Sequence, residues 1–204
     1  MITKQHPILV NRINTKALLN QLCDAFSDDP FFAMLSDQPE QRYQGCCLVG
    51  KMILNDSRHR RTVLANSVAL DSLALWQDLT QPRRSSRLID EWLNLCWVFS
   101  GCLPALRSVQ HQLQRMNHNI HEMQKEADLY LSLLYVDKTL RGQGVARTLL
   151  TPLLQRCDQQ QHICGVDTFN PVNISLYQHF GFELYRQTAI NDTVTNYCLL
   201  RRPQ

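Results

Sequence analysis

The residues best suited to chemistry stand in the stretch Arg141-Gly142-Gln143-Gly144-Val145-Ala146, between an apolar run and an amphipathic one. Glycines let a backbone approach a ligand closely, and the free N–H groups of a helix that starts just after them point at it. Arg141 adds a guanidinium that can meet a phosphate from the side while the amides meet it head-on. The chemistry offered is anion binding. It depends on the flanking elements. Leu129 to Val136 (LYLSLLYV) reads as a buried strand, and Val145, Leu149, Leu150, Leu153 and Leu154 fall at helical spacing.

Neither common nucleotide loop fits this turn. A Walker loop carries Lys-Ser or Lys-Thr after its last glycine, whereas Val145-Ala146-Arg147 follows here. A dinucleotide fingerprint needs a third glycine, which is missing, although Asp167 lies in a suitable window for its acidic partner.

Arg141, Gly144 and Ala146 resemble the fixed positions of Gln/Arg-x-x-Gly-x-Gly/Ala, the pyrophosphate loop of the GNAT superfamily of N-acyltransferases. A second block is similar to that family's Asn-x-x-Asn-x-x-x-Tyr-x-x-x-Gly-Phe segment, with Asn170, Asn173, Tyr177, Gly181 and Phe182 in register. The resemblance covers roughly residues 125–202 well and the N-terminal half loosely. It implies an α/β fold with one mixed, mostly antiparallel, splayed β-sheet flanked by helices on both faces. It also implies an acetyl-CoA-dependent N-acetyltransferase whose co-substrate is held by Leu134, Tyr135, Val136, Arg141, Gly142, Gln143, Gly144, Val145, Ala146, Arg147, Asn170 and Asn173. In that scheme the strand before the loop bulges and splays from its neighbour. Its freed main-chain groups then pair with pantetheine and polarise the acetyl carbonyl.

By the same resemblance Tyr177, one helical turn after Asn173, is the acid that protonates the departing sulfur. Asp128 stands where some members carry a catalytic glutamate, one methylene longer; His121, Glu122, Glu126 and Asp167 are rival bases. The acceptor is expected to be a small, partly apolar primary amine, lodged among Phe31, Phe32, Trp76 and the helices over 86–124. A protein or peptide acetyltransferase (lysine or N-terminal) and a non-catalytic acyl-CoA-binding regulatory module are the alternatives. Retention of Tyr177 counts against the last of these.

The 204 residues are compatible with one domain, its acceptor-side elements over about 1–124 and its acyl-CoA core over about 125–204. A net charge of +3 demands no acidic polymer, so no nucleic-acid partner is expected, and Arg58-His59-Arg60-Arg61 and Arg83-Arg84 read as solvated surface. The eight cysteines show neither C-x-x-C pairs nor finger spacing. No metal and no disulfide are expected, and a reducing, cytoplasmic compartment fits. The window Trp92 to Leu106 is too short and too interrupted for a membrane span. A homodimer is an open expectation.

Along the chain, Thr15 is the expected cap of a helix through Leu18, Leu19, Leu22 and Phe26, with a second helix over about 38–54. Strands are expected at Arg61 to Leu64 and Val68 to Trp76, joined near Asn66-Ser67. A connector at 82–86 leads to two helices, Leu88 to Phe99 and about 103–123. After Leu129 to Val136 and the loop helix come a strand at His162 to Phe169, a helix at Pro171 to His179, and a hairpin. The hairpin pairs Phe182 to Ala189 with Val194 to Leu200 across Asn191-Asp192-Thr193.

Overall fold

One seven-stranded sheet organises the protein, in a computed structural model that describes residues 7–10, 14–56, 60–82 and 110–204. The strands are β1 (Ile8–Leu9), β2 (Arg61–Ala65), β3 (Ser72–Asp78), β4 (Leu129–Val136), β5 (Cys164–Thr168), β6 (Glu183–Ala189) and β7 (Thr195–Arg201), in the order β1-β2-β3-β4-β5-β7-β6. Only β4 and β5 run parallel; all other neighbours are antiparallel. The helices are α1 (Thr15–Phe26), α2 (Pro30–Leu35), α3 (Pro39–Asp56), α4 (Gln110–Glu126), α5 (Val145–Gln160) and α6 (Val172–His179). The helix expected over 88–99, the basic connector at 83–86, Arg58 and His59 lie outside the described residues.

Alternation along β3 distributes the two cores. Ala74 and Trp76 pack with Leu149, Leu150 and Leu153 of α5, while Leu73 and Leu75 pack with Leu18, Leu19 and Leu22 of α1. Helices therefore cover both faces. Trp76, 1% exposed, belongs to the α5 side.

Pairing explains the two features that matter for a site. Leu75 faces Leu133 and Trp76 faces Leu131, so Ser132 is an extra residue in β4, a bulge. It switches the strand's parity: Leu131 packs in the α5 core, whereas Leu133 and Tyr135 pack with α1. On its other side β4 pairs with β5 only from Leu129 to Leu131. Beyond Leu131 the two parallel strands part, and their facing main-chain groups have no ladder partner.

Several local expectations are corrected. Asn14, not Thr15, caps α1, its Oδ1 accepting from the Ala17 amide at 3.2 Å. The third strand starts at Ser72 rather than Val68. Asn66 Oδ1 accepts from Ser72 N (2.9 Å), Ser67 donates to Asp71 (2.9 Å), and Leu70 takes a positive φ of 61°, so residues 66–71 form a turn in which Val68 is exposed. The short edge strand β1 was not read from the sequence. Cys23 and Cys47 are joined across α1 and α3, their Cα atoms 5.6 Å apart, against the expectation of free thiols throughout. That pairing removes part of the basis for placing the chain in a reducing compartment. Cys46, Cys157, Cys164 and Cys198 are free and buried. Among the described residues no helix is long and apolar enough to cross a membrane.

Candidate active site

The turn between β4 and α5 leaves a helix start open. A short 3₁₀ turn, Lys138–Leu140, is capped by Asp137, and Arg141 then anchors its Nε to the Val136 carbonyl at 3.2 Å. Gly142 (φ 75°) and Gly144 (φ 78°) lie in the left-handed region, where a side chain would be strained, and nothing crowds the space beside either. Gly144 begins α5 with no side-chain cap and no acidic residue in the first turn, so the positive end of the helix is left for a ligand. Arg147 lies one turn on, with an Arg147 nitrogen 2.7 Å from His179 Nε2.

This loop forms one wall of a cleft of about 640 Å³. Leu134, Tyr135, Val136, Arg141, Gly142, Gly144, Val145, Ala146, Arg147, Asn170 and Asn173 all line it, so the structure brings together nearly every residue expected to hold acetyl-CoA. Gln143 is the exception. It is not among the cleft's walls, and its amide is turned onto the Thr139 carbonyl at 2.8 Å. Lys138 and His179 join the wall and were not anticipated; only their place after folding reveals them.

The far strand of the split leads into α6. Asn170 Oδ1 accepts from Val172 N at 3.0 Å and so supports the first turn, while Asn173 Nδ2 donates to Thr168 Oγ1 at 3.1 Å. One turn later Tyr177 is 5% exposed, its ring edge-on to Phe182. Among the described residues nothing holds its hydroxyl. Burial, and then the negative charge of Asp167, push its pKa above the ordinary tyrosine range, so it remains a phenol and a hydrogen-bond donor.

A second cavity, about 530 Å³, opens on the α1–α3 side. Its walls are mostly apolar, from Phe31, Phe32, Val49, Ile53, Leu113 and Met116, with Phe31 stacked on Phe169 at 4.6 Å between centroids. Phe26, Asp29, Leu134, Asn173 and Tyr177 line both this chamber and the loop-lined cleft. The gap between β4 and β5 is thus a passage, with Tyr177 at its threshold.

The polar residues of the chamber were largely invisible in the sequence. Asp167 accepts from the Tyr130 hydroxyl on one oxygen and from Asn196 Nδ2 (2.8 Å) on the other. Asp29 caps α2 through Phe31 N at 3.1 Å. Both carboxylates are raised in pKa, first by burial and, for Asp29, also by the Asp167 charge, despite the hydrogen bonds that pull each of them down. Ser132 Oγ, on the bulge, is buried in the same wall with no hydrogen-bond partner among the described residues.

Two expected site residues are placed elsewhere. Asp128 precedes β4, at the end of the sheet opposite the loop, and its carboxylate accepts from Ile163 N at 2.9 Å; it lines neither cavity. Its side chain secures the start of the β4–β5 pair. Trp76 faces the α5 core, because strand alternation points it away from the α1–α3 side, and so it is not part of the chamber. Phe31 and Phe32 are in the chamber as expected. His121 is exposed on α4, Glu122 pairs with Lys125 at 2.7 Å, and Glu126 accepts from Tyr185 at 2.7 Å. None of these three lines a cavity of the site.

Comparison with known proteins agrees with this geometry. Residues 106–182 match the acetyltransferase (GNAT) family. The crystal structure described as histone acetyltransferase HPA2 and related acetyltransferase from Corynebacterium glutamicum superposes with a TM-score of 0.59 at 13% identity, over 98% of this chain and 97% of that one. The NatC complex bound to Gag peptide and CoA gives a TM-score of 0.50 at 14% identity, over 98% and 99%. A protein from Agrobacterium tumefaciens assigned to the acetyltransferases matches locally, at 28% identity and a TM-score of 0.34; 36% of this chain aligns and spans only 56% of that relative. No curated protein sequence matches the chain. The family match spans the loop and α6, and the chain as a whole shares its fold with the Corynebacterium glutamicum structure.

Proposed function

We propose that this protein is an acetyl-CoA-dependent N-acetyltransferase that acts on the primary amine of a small, partly apolar molecule. The observation that carries the reading is Tyr177, whose position is common to the loop-lined cleft and the apolar chamber. The cleft fits a pyrophosphate: an uncapped helix start, two glycines with open space beside them, and Lys138, Arg141 and Arg147 around them. Acetyl-CoA supplies the activated acyl group as a thioester.

The residues then divide the work. Arg141 and the first amides of α5 hold the phosphates. The unpaired edge of β4 around Leu134 to Val136 takes the pantetheine arm, and its main-chain N–H groups meet the acetyl oxygen as charge develops there. Tyr177 donates to the sulfur as the carbon–sulfur bond breaks. Its elevated pKa keeps it protonated, and so a donor, until charge develops on the sulfur. The chamber walled by Phe31 and Phe32 receives the acceptor.

A chamber this apolar suits a compact organic amine better than an extended peptide, which needs main-chain partners along an open groove. Release of CoA thiol from acetyl-CoA, followed across a panel of amines and short lysine or N-terminal peptides, tests the proposal. Turnover confined to small amines supports it, and turnover confined to peptides replaces the acceptor half of it.

A further inference from the structure

Resting on the amine-acetylation reading, we infer that Asp167 is the catalytic base, positioned by Tyr130 and Asn196, and that it takes the proton of an acceptor that enters the chamber as an ammonium ion. Asp167 is the first β5 residue beyond the last paired position, Val166 opposite Leu131, and so stands at the apex of the split between the two strands. Each carboxylate oxygen is held by one donor from a neighbouring strand, Tyr130 on β4 and Asn196 on β7. One lone pair on each oxygen is left for the chamber that Asp167 lines.

The surroundings favour a cation. The chamber carries a second carboxylate, Asp29, which feels the charge of Asp167, while its other walls are uncharged and mostly Phe, Leu, Ile, Val and Met. Other groups facing Asp167 are the neutral Tyr177 hydroxyl on α6 and the Cys198 thiol on β7, pushed up to about 12 by burial and by Asp167 itself. From α4 the chamber receives Leu113, Met116, Asn117 and Ile120, none of them charged. Two carboxylates in an apolar cavity with no lysine or arginine among its described walls form the electrostatic complement of an alkylammonium head on an apolar body.

The proton balance closes. The ammonium R–NH3⁺ gives one proton to the Asp167 carboxylate, which becomes a carboxylic acid. The freed nitrogen lone pair forms the C–N bond to the acetyl carbon. When the tetrahedral adduct collapses, the C–S bond breaks and its electron pair goes to sulfur, which receives the nitrogen's second proton by way of the Tyr177 hydroxyl. The products are the amide and the CoA thiol, and Asp167 returns its proton to solvent. Burial, which holds the Asp167 pKa above the ordinary carboxylate range, brings it closer to that of the amine.

The test compares kcat/KM as a function of pH for the wild type, Asp167→Asn and Tyr130→Phe, at saturating acetyl-CoA, with two acceptors of similar shape. One is an arylalkyl primary amine that is protonated at neutral pH; the other is an aromatic amine that is neutral throughout. Asp167→Asn should lower the rate with the basic amine by on the order of 10²–10⁴, and the remaining rate should track the free amine in solution. The neutral amine, which has no proton to lose before attack, should rescue that variant to within a factor of a few of the wild type. Tyr130→Phe keeps the carboxylate but removes a donor that lowers its pKa, so the acid limb should move to higher pH. An equal loss with both amines, or no loss with either, overturns the assignment, as does an unmoved limb in Tyr130→Phe. A wild-type protein that releases no thiol with either amine overturns the acetyl-transfer reading, and this inference with it.

Discussion

The Tyr130 hydroxyl donates to the Asp167 carboxylate across β4 and β5, one residue past the point where the two parallel strands stop pairing. That bond ties the strands together at the apex of the opening that joins the loop-lined cleft to the apolar chamber.

Binding of acetyl-CoA should weaken in Arg141→Ala and weaken more in Gly144→Asp. The second change brings a carboxylate to the positive end of α5 and forces an aspartate into a left-handed backbone, at a cost of roughly 1–2 kcal/mol. Calorimetric titration reads this directly; unaltered affinity in both variants removes the loop from the binding site.

Tyr177→Phe removes a hydroxyl that bonds to nothing among the described residues, so its melting temperature should stay close to that of the wild type. Turnover should fall by on the order of 10²–10⁴. A variant that keeps full kcat on a good acceptor makes Tyr177 a packing residue.

How much of this could be read beforehand follows from how local each feature is. Arg141, Gly144 and Ala146 sit within six residues of one another, and the left-handed glycines are required by the turn itself, so the loop was legible. The α6 block with Asn173 and Tyr177 was legible for the same reason. The base was not. Asp128 and Asp167 are both acidic residues near strand ends, and choosing between them requires knowing that β4 and β5 are paired at Asp128 and parted at Asp167. Trp76 was misassigned because alternation along β3 sends Leu73 and Leu75 toward α1 but Ala74 and Trp76 toward α5, and the sequence does not say which of the two faces meets which helix. Asp29 caps α2, but its place in the chamber arises only when α2 packs against α3 and the cavity closes around it.

Trp76→Ala should act on stability rather than on the acceptor. It removes a fully buried ring from the α5 core, for which about 3–5 kcal/mol is expected. Phe32→Leu, in the chamber, should raise KM for the acceptor by on the order of tenfold with little effect on KM for acetyl-CoA. Thermal melts and paired KM measurements separate the two cases, and an acceptor-specific KM effect in the Trp76 variant contradicts its placement.

Asp158 grips the buried Arg201 with two bonds, of 2.7 and 2.8 Å, and accepts from Gln204 N at 3.0 Å, closing the C-terminal strand onto α5. The bonds from Arg201 hold its pKa below the usual carboxylate range. A depressed carboxylate contributes stability that is complete above the unfolded pKa of about 3.9 and is lost as pH falls through the lower folded value. Asp158→Asn should therefore cost about 2 kcal/mol at neutral pH. The gap from the wild type should begin to narrow in melts below about pH 4, and a gap that stays constant as the pH falls further would contradict the ion pair as its source.

The central claim is acetyl transfer from CoA to an amine at the Tyr177 threshold, and single-turnover thiol release reads it most directly. Wild-type protein mixed with acetyl-CoA and a small arylalkyl amine should release one CoA thiol per acetylated amine, at a rate that collapses in Tyr177→Phe while acetyl-CoA affinity holds. Thiol release without acetylated amine, or equal rates in both proteins, would contradict the account.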